Sequence, residues 1–422
     1  MKSAPDSPAV DPAAGSAGTH EKSPADGGQP MLVLKKNEER RLAAGHLWVY
    51  SNEVDKSKSP LKTFTAGEQV PVYSSRGKFI AMACVNSHSL ICARVYSYRR
   101  SEFINQDLIK SRLATALALR DQCFDQPFYR LVHGEGDWLP GLVIDRYGEY
   151  LVLQTNTAGM DRELQVVVAA LVELLSPAGI YLRNTSSSRE LEGLESIAEK
   201  VHGDVPESTE IVENGIRYQI PLTSGQKTGW FYDHRDNRQT LQRFCSGKRV
   251  LDAYCYLGGW GMNALAAGAS QVIAIDSSVA AIDGAQINAR LNGFDDRWQG
   301  LRGDVSEQLR HLRQTSEKFD VVILDPPAFI KRAKDKKAGI EKYRSVNTLA
   351  MGLLNPGGML VSGSCSYHLA ESELQRVMLH SSQHAGRTLQ ILARGHQAID
   401  HPVHAAIAET EYLKAVFARL IR

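Results

Sequence analysis

Residues 249–265, with the sequence RVLDAYCYLGGWGMNAL, constrain the fold of this chain more than any other stretch. The pattern predicts a buried strand that ends near Asp252, a turn rich in glycine, and a helix from Met262 onward. Such a unit begins a doubly wound α/β sheet, which binds ligands beyond the carboxyl ends of its strands. The first N–H groups of the helix suit an anion. We expect the later residues to continue this sheet and the earlier residues to form added modules.

Length and composition limit the class of protein. At 422 residues, the chain is long enough for two or three domains. Its formal net charge of +2 does not indicate nucleic acid, although a local basic patch stays open. The six cysteines form no CxxC pairs, which favours a reducing compartment and no metal site. No apolar run approaches the ~20 residues that span a bilayer, so we expect a cytoplasmic protein.

The composition changes along the chain in a way that predicts its organisation. Residues 1–30 are rich in small and polar residues and predict a disordered tail. Residues 31–100 alternate apolar and polar positions, which predicts a small β-barrel-like module. Residues 101–210 predict a small α+β domain, with amphipathic helices near its start and its middle. Residues 211–422 contain the α/β sheet.

A basic and aromatic group stands near the start of the first module. Base stacking combined with phosphate contact needs this mixture of side chains. A solvated helix face with two core aromatic residues is the alternative explanation. The group consists of Lys35, Lys36, Arg40, Arg41, Trp48 and Tyr50.

The segment before the main sheet is unusually polar and aromatic. Residues 224–241 read SGQKTGWFYDHRDNRQTL, and a helix is predicted from Thr240 onward. The polar residues would then precede the helix and line a cleft beside the glycine turn. A surface loop is the alternative.

Two acidic residues follow later strands of the predicted sheet. The strand QVIAID ends at Asp276, close to the ~20-residue offset from the glycine turn at which a carboxylate accepts ribose hydroxyls. Asp304 follows a short polar stretch and is placed to reach the base of the same nucleoside. Helix N-capping is the alternative role for both carboxylates.

A carboxylate and a thiol follow the next two strands. The strand in FDVVILDPPAFIK runs into Asp325, and the two prolines after it predict a rigid turn. Cys365 follows the strand in GGMLVSGSCSYH, at the same edge of the sheet. A nicotinamide dehydrogenase is disfavoured, because GxGxxG is absent and that chemistry gives no reason for Asp-Pro-Pro.

These motifs together resemble those of class I S-adenosylmethionine-dependent methyltransferases. From about Met31 the chain is similar to the RlmI-type family of 23S rRNA (cytosine-C5) methyltransferases, which have an N-terminal PUA domain and a small central domain. The similar segments are HLWVYSNEV, LVHGEGDWLPGLVIDRYGEYLVLQ, QKTGWFYDHRDNR, VLDAYCYLGGWG, AIDSS, LDPPAFIK and SGSCS.

The resemblance implies S-adenosyl-L-methionine as the cofactor and assigns residues to it. Asp252 and the glycines would hold the methionine end, Asp276 the ribose and Asp304 the adenine, while residues 227–231 would help to close the pocket. The cofactor-binding set is Asp252, Tyr254, Gly258, Gly259, Asp276, Asp304, Asp325, Lys227, Thr228 and Phe231.

The resemblance also implies covalent catalysis on a flipped cytosine of 23S rRNA. The thiolate of Cys365 would add to C6, and Asp325 would hydrogen-bond the N3 and amino edge. The cofactor's sulfonium and Lys331 would favour the thiolate. Lys331 and Arg332 could also bind phosphates, although a solvated loop is the alternative. A homodimer is possible.

Two positions depart from the family pattern. Trp260 stands where Phe is usual, which we expect to alter packing more than chemistry. Ala328 stands where two-cysteine relatives carry a second cysteine that assists product release, so release needs another group. Two other functions stay open: a guanine-N2 rRNA methyltransferase, and a non-catalytic RNA-binding assembly factor.

Overall fold

The computed structural model describes residues 30–226 and 228–421, and its first part is a five-stranded sheet. The elements of this part are β1 (Leu32–Val33), α1 (Glu39–Ala43), β2 (Trp48–Tyr50), β3 (Glu68–Tyr73), β4 (Phe79–Val85) and β5 (Ile91–Ser97). The strand order is β1-β3-β4-β5-β2, with β1 parallel to β3 and the other neighbours antiparallel. The predicted tail, residues 1–30, lies outside the described residues except for Pro30.

A second five-stranded sheet and a hairpin follow. Their elements are α2 (Gln106–Cys123), β6 (Phe128–His133), β7 (Leu142–Tyr147), β8 (Tyr150–Thr155), α3 (Ala158–Arg162), α4 (Leu164–Leu175), β9 (Gly179–Asn184), α5 (Ser187–Glu192), β10 (Ile197–Gly203), β11 (Ser208–Glu213) and β12 (Ile216–Pro221). The sheet order is β10-β9-β8-β7-β6, and β11 pairs with β12. Helices α2 and α4 bury apolar side chains against the sheet. The predicted domain limit at residue 210 falls within β11.

The last part is a seven-stranded sheet with helices between its strands. Its elements are α6 (Arg235–Gln242), β13 (Arg249–Ala253), α7 (Gly259–Ala266), β14 (Gln271–Asp276), α8 (Val279–Leu291), β15 (Trp298–Arg302), α9 (Val305–Gln314), β16 (Phe319–Leu324), α10 (Lys336–Leu353), β17 (Leu354–Ser364), α11 (Glu371–His384), β18 (Thr388–Gly395) and β19 (Lys414–Ile421). The order is β15-β14-β13-β16-β17-β19-β18, and the first five strands are parallel. The predicted doubly wound α/β sheet is confirmed.

The strands of this sheet are hydrophobic at successive positions because both faces are covered. On β13, Val250 packs into the core on one face and Leu251 into the core on the other. The first of these cores continues through the hairpin to Tyr147 and Val152 of the second sheet. The middle part of the chain is therefore packed against the α/β sheet.

Helix α6 differs from its prediction. It spans Arg235–Gln242, so the prediction of a helix from Thr240 onward was wrong. Its buried side chains include Arg235, Asn237 and Arg238. The buried face of this helix is therefore largely polar, whereas most helices are recognised by an apolar stripe. Glu213 of the hairpin accepts a bond of 2.7 Å from Arg238. The polar residues therefore lie on and before the helix and face the interior.

Polar contacts join the second sheet to the last one. Arg130 forms a double hydrogen bond with buried Asp145, at 2.8 Å each, and its backbone N–H donates to Asp400 at 2.9 Å.

Among residues 30–226 and 228–421, no helix has the length and apolarity needed to cross a membrane. The same residues contain no group of His, Cys, Asp and Glu side chains that could hold a metal ion.

Candidate active site

The loop after β13 has an unusual backbone. Tyr254 and Tyr256 both have positive φ, at 67° and 49°, and Gly258 follows at 80°. Non-glycine residues in this region cost about 1–3 kcal/mol and cluster at ligand sites. A side chain at Gly259 would approach Trp230 to 3.0 Å. The loop therefore holds its peptide groups close to the space beyond β13.

Asp252, at the end of β13, has one carboxylate oxygen without a hydrogen-bond partner in the described chain. Its Oδ2 accepts the N–H of Gly261 at 2.9 Å, while the buried Oδ1 has no hydrogen-bond partner in the described chain. The pKa of Asp252 is raised to about 7, chiefly by burial; the hydrogen bond from Gly261 lowers it, and the nearby charge of Asp325 raises it. An unpartnered buried carboxylate oxygen is costly and suits a cationic ligand group.

Asp276 and Asp304 lie at the carboxyl ends of the next strands. Asp276 accepts the backbone N–H of Tyr256 at 3.0 Å and that of Ser278 at 2.9 Å. Asp304 is the N-cap of α9 and accepts the N–H of Glu307 at 3.0 Å. The capping role foreseen as an alternative is therefore present at Asp304. Both carboxylates also line the cavity described below.

Asp325 is held by two side chains that sequence reasoning did not place. His234 Nε2 lies 3.2 Å from its Oδ1, and the indole N–H of Trp260 donates to its Oδ2 at 3.0 Å. Burial alone would raise the pKa of Asp325, but the electrostatic attraction of His234 and the hydrogen bonds from His234 and Trp260 bring it below its ordinary value. Trp260, which we expected to alter packing more than chemistry, also makes a polar contact, because its indole N–H binds this carboxylate.

His234 is itself oriented by Asn237. The side-chain amide nitrogen of Asn237 lies 3.1 Å from His234 Nδ1 and also donates to the carbonyl of His396 at 2.9 Å. An amide nitrogen can only donate, so Nδ1 accepts and Nε2 carries the hydrogen that points to Asp325. The arrangement fixes Asp325 as a hydrogen-bonded carboxylate.

Cys365 lies in a loop that is held from one side by Tyr343. The Ser364 hydroxyl donates to the Tyr343 hydroxyl at 2.8 Å, and the hydroxyls of Tyr343 and Ser366 lie 2.9 Å apart. Cys365 is half-buried between these two serines. Because Leu324 of β16 pairs with Ser362 of β17, this loop lies beside Asp325 at one edge of the sheet.

A cavity of about 830 Å³ brings most of the predicted residues together. Its wall includes Cys365, Asp325, Tyr254, Gly259, Asp276, Asp304, Phe231, Trp260, His234 and Cys255. The second thiol, Cys255, is buried, and burial together with Asp252 and Asp276 raises its pKa well above the ordinary value. Cys255 is therefore a poor source of thiolate, and Cys365 is the better candidate nucleophile.

Four predicted cofactor residues need separate mention. The first, buried Asp252, is not part of the cavity wall. The hydroxyl of Thr228 donates to Asp145 of the second sheet, so the structure places it in the contact between the two sheets and not in the cavity wall. Lys227 lies outside the described residues. Gly258 does not line the cavity itself, although it ends the loop after β13 whose other residues do. A side chain at Gly258 would approach Met262 to 3.0 Å.

The predicted RNA-binding cations differ in whether an acidic side chain of the protein already pairs with them. Arg41 binds Glu53 at 2.8 Å and the Trp48 carbonyl at 3.0 Å, so its charge is compensated. Arg332 pairs with Asp335 at 3.0 Å. The remaining predicted cations, Lys35, Lys36, Arg40 and Lys331, have exposed side chains.

Comparisons of sequence agree with this arrangement. A family model described as S-adenosylmethionine-dependent methyltransferase matches residues 130–384, and one described as PUA-like domain matches residues 32–98. A protein of Erwinia tasmaniensis named ribosomal RNA large subunit methyltransferase I is 38% identical over 395 residues, which cover 92% of this chain and 99% of the relative. The protein of that name from Vibrio cholerae is 37% identical over 399 residues, covering 93% and 100% of the two chains.

Solved structures share the fold. The crystal structure of SMU.776 complexed with SAH has a TM-score of 0.80 at 19% identity and covers 93% of this chain and 100% of that one. A second structure, from Streptococcus mutans, has a TM-score of 0.79 at 20% identity and covers 92% and 100%. Together with the sequence matches, these findings establish S-adenosylmethionine dependence and the PUA-like first module. The chain belongs to the ribosomal RNA large subunit methyltransferase I family of S-adenosylmethionine-dependent methyltransferases.

Proposed function

We propose that this chain methylates C5 of a cytosine in 23S rRNA through a covalent bond between Cys365 and C6 of the base. One observation supports this proposal above the others: Cys365 and Asp325 line the same cavity as the acidic residues Asp276 and Asp304. A nucleophile, a group that recognises the base and a nucleoside site are thus within one space, as covalent catalysis requires.

The residues of the cavity wall fit the cofactor together with Asp252, which is buried and is not part of that wall. The spare oxygen of Asp252 suits an α-ammonium group, and Asp276 retains lone pairs for two ribose hydroxyls. Asp304, at the rim, is placed for an adenine amino group, and the ring of Phe231 packs edge-on against Tyr256 beside the same space. When bound, S-adenosyl-L-methionine supplies a methyl group on a sulfonium.

Cys365 and Asp325 act on the base. Addition of the Cys365 thiolate to C6 moves the electrons of the C5–C6 double bond toward C5 and N3, which makes C5 nucleophilic. Asp325 accepts a hydrogen bond from the cytosine amino group. In the adduct N3 takes a proton from solvent water and donates a second hydrogen bond to Asp325. After methylation, C5 and N3 release their protons to solvent, the electron pair of the C5–H bond re-forms the C5–C6 double bond, and the C6–S bond breaks with its electrons returning to the thiolate.

The partners follow from this activity. The name shared by the relatives supports large-subunit rRNA as the substrate, and the PUA-like module supports contact with that RNA through Lys35, Lys36, Arg40 and Arg41. A large-subunit rRNA substrate supports a cytoplasmic location for this chain. Homodimer formation, binding of phosphates by Lys331 and Arg332, and the domain limits stay predictions.

Cofactor affinity should depend on pH through Asp252. With a pKa of about 7 the carboxyl is largely protonated at pH 5.5, and only its ionised form attracts the cofactor's ammonium. The affinity should therefore rise about tenfold from pH 5.5 to 7.0, a range in which an α-amino group stays charged. Isothermal calorimetry with the full chain measures this. Asp252→Asn should bind more weakly and lose the slope, while Asp304→Asn should bind more weakly and keep it. A flat wild-type profile would contradict the assignment.

A fluorinated RNA substrate tests the covalent route directly, because it traps the adduct between Cys365 and the base. In 23S rRNA containing 5-fluorocytosine, fluorine replaces the C5 proton, so the methylated adduct cannot eliminate and Cys365 should stay bound to the RNA. Denaturing electrophoresis with labelled cofactor measures the complex, and mass spectrometry of the digested protein identifies the linked cysteine. Cys255→Ala is the matched control and should still be trapped. Absence of any complex with active wild-type protein would refute the thiol route.

A further inference from the structure

Lys414 lies directly beside the Cys365 loop. It is the first residue of β19, and the antiparallel register pairs it with Ser364 of β17. Its ammonium donates to the carbonyl of Ser366 at 2.9 Å and to that of Tyr412 at 2.9 Å. The side chain is buried, with 6% of the residue exposed. The loop that carries Cys365 is thus held by Tyr343 on α10 and by Lys414 on β19.

The positive charge of Lys414 is not neutralised by an ion pair within the described chain. Three acidic residues act on it electrostatically, and each has a basic neighbour of its own: Glu411 lies 3.4 Å from His396, Glu371 pairs with Arg394 at 3.0 Å, and Glu373 pairs with Lys336 at 2.8 Å. Burial lowers the pKa of Lys414, and negative charge on Cys365 is the largest influence that raises it. Attraction between an ammonium and a thiolate acts equally on both groups.

The other described titratable groups around the loop do not place an uncompensated positive charge beside the sulfur of Cys365. The Tyr412 hydroxyl donates to Asp233 at 2.7 Å, and the Tyr343 hydroxyl is shared with the two serines. The remaining titratable groups of the cavity wall near the loop are Asp325, His234 and Lys342, of which Lys342 is exposed and the first two form a pair. Arg238, a buried cation of the cavity wall, pairs with Glu213 at 2.7 Å, whereas Lys414 is a buried cation beside the Cys365 loop.

We propose that Lys414 is a positioning residue for catalysis, which fixes the backbone after Cys365 and places a buried positive charge that favours the thiolate before RNA and cofactor bind. This inference rests on the proposed thiolate chemistry. It assigns to Lys414 the role that the sequence suggested for Lys331, whose side chain is exposed on the loop after Asp-Pro-Pro.

The test is the pH profile of cysteine alkylation in the full-length protein, without RNA or cofactor. Iodoacetamide is applied from pH 5 to 10, and peptide mass spectrometry follows Cys365, with exposed Cys123 as an internal reference. Lys414→Met should move the midpoint of the Cys365 profile upward by about one pH unit. It should also slow alkylation at pH 7 about tenfold, while Cys123 is unchanged. Lys331→Met should leave both profiles as in wild type.

Further variants separate charge from support of the backbone. Lys414→Gln retains hydrogen-bond donors without the charge and should shift the midpoint as Lys414→Met does, whereas Lys414→Arg should keep the wild-type midpoint. Tyr343→Phe removes the opposite support and should not raise the midpoint. A wild-type midpoint in folded Lys414→Gln would overturn the inference, even if Lys414→Met fails to fold. Failure of the wild-type protein to form the 5-fluorocytosine complex would instead refute the proposed function, whatever the alkylation profiles show.

Discussion

Replacement of Cys365 by alanine is expected to lower the rate of methyl transfer to 23S rRNA about 10³-fold or more. Cytosine C5 is a weak nucleophile, and the cavity offers no second route to activate it, since Cys255 is buried and its pKa is raised well above the ordinary value. The measurement is single-turnover transfer of a tritiated methyl group to unmethylated RNA, with RNA and cofactor both saturating. Saturation separates loss of chemistry from loss of binding.

Cys365→Ser is the close comparison, because it retains the size and polarity of the side chain. A serine hydroxyl is scarcely ionised at neutral pH, so the same loss is expected. Both variants should bind the cofactor with nearly wild-type affinity. Cys255→Ala should lose less than about tenfold, as expected for a wall residue without a covalent role. Near wild-type turnover of Cys365→Ala would favour guanine-N2 methylation, which needs no thiol. RNA binding by wild-type protein without methyl transfer would favour a non-catalytic factor.

The central sheet and its ligand edge were predictable from the sequence. Parallel strands covered on both faces are short hydrophobic runs, and glycine after the first of them marks a close turn. Once the strands are placed, their carboxyl ends must meet at one edge. Asp276 ends its strand, and Asp325 and Cys365 directly follow theirs, so their common location in one cavity required no knowledge of the loops.

The residues that orient these groups were not predictable in the same way. His234 and Asn237 act from α6 and the turn before it, a polar segment whose burial depends on partners such as Glu213 in the hairpin. Lys414 reaches Cys365 only because β19 inserts antiparallel beside β17. No local periodicity encodes such a crossing. The lysine that begins the final strand, KAVFARLI, was the signal available, and a basic residue at a strand end does not by itself indicate a buried position.

Trp260 and Thr228 show the limits of transferring roles by motif. Thr228 was expected to help close the cofactor pocket, and Trp260 was expected to alter packing where Phe is usual. The structure gives each of them a hydrogen-bond partner that the motif did not indicate. The indole N–H of Trp260 binds Asp325, and the Thr228 hydroxyl binds Asp145. A motif fixes the backbone position of a residue, whereas its hydrogen bonds depend on the neighbouring elements.

Asp325→Asn should lower kcat about 100-fold or more while KM changes by less than about tenfold. The ionised carboxylate accepts a hydrogen bond from the cytosine amino group in the bound state. It gains a second, charge-assisted bond when N3 becomes protonated in the adduct, so its contribution increases as the reaction proceeds. An amide of the same shape has no charge to offer and turns an N–H group toward the base or toward His234. Steady-state methylation at several RNA concentrations measures both constants.

Trp260→Phe is the matched comparison, because it retains an aromatic ring at the position and removes only the indole N–H bond to Asp325. One hydrogen bond to a charged group contributes roughly 1.5–3 kcal/mol, and the bond from His234 remains, so a loss in kcat of about tenfold is expected. The carboxylate would then be held on one oxygen only, and its pKa should move toward the ordinary value, since one of the bonds that lower it is gone. The acidic limb of the kcat profile should accordingly move to higher pH in Trp260→Phe. If Asp325→Asn changed KM but left kcat unchanged, the carboxylate would only bind the base and would not stabilise the adduct.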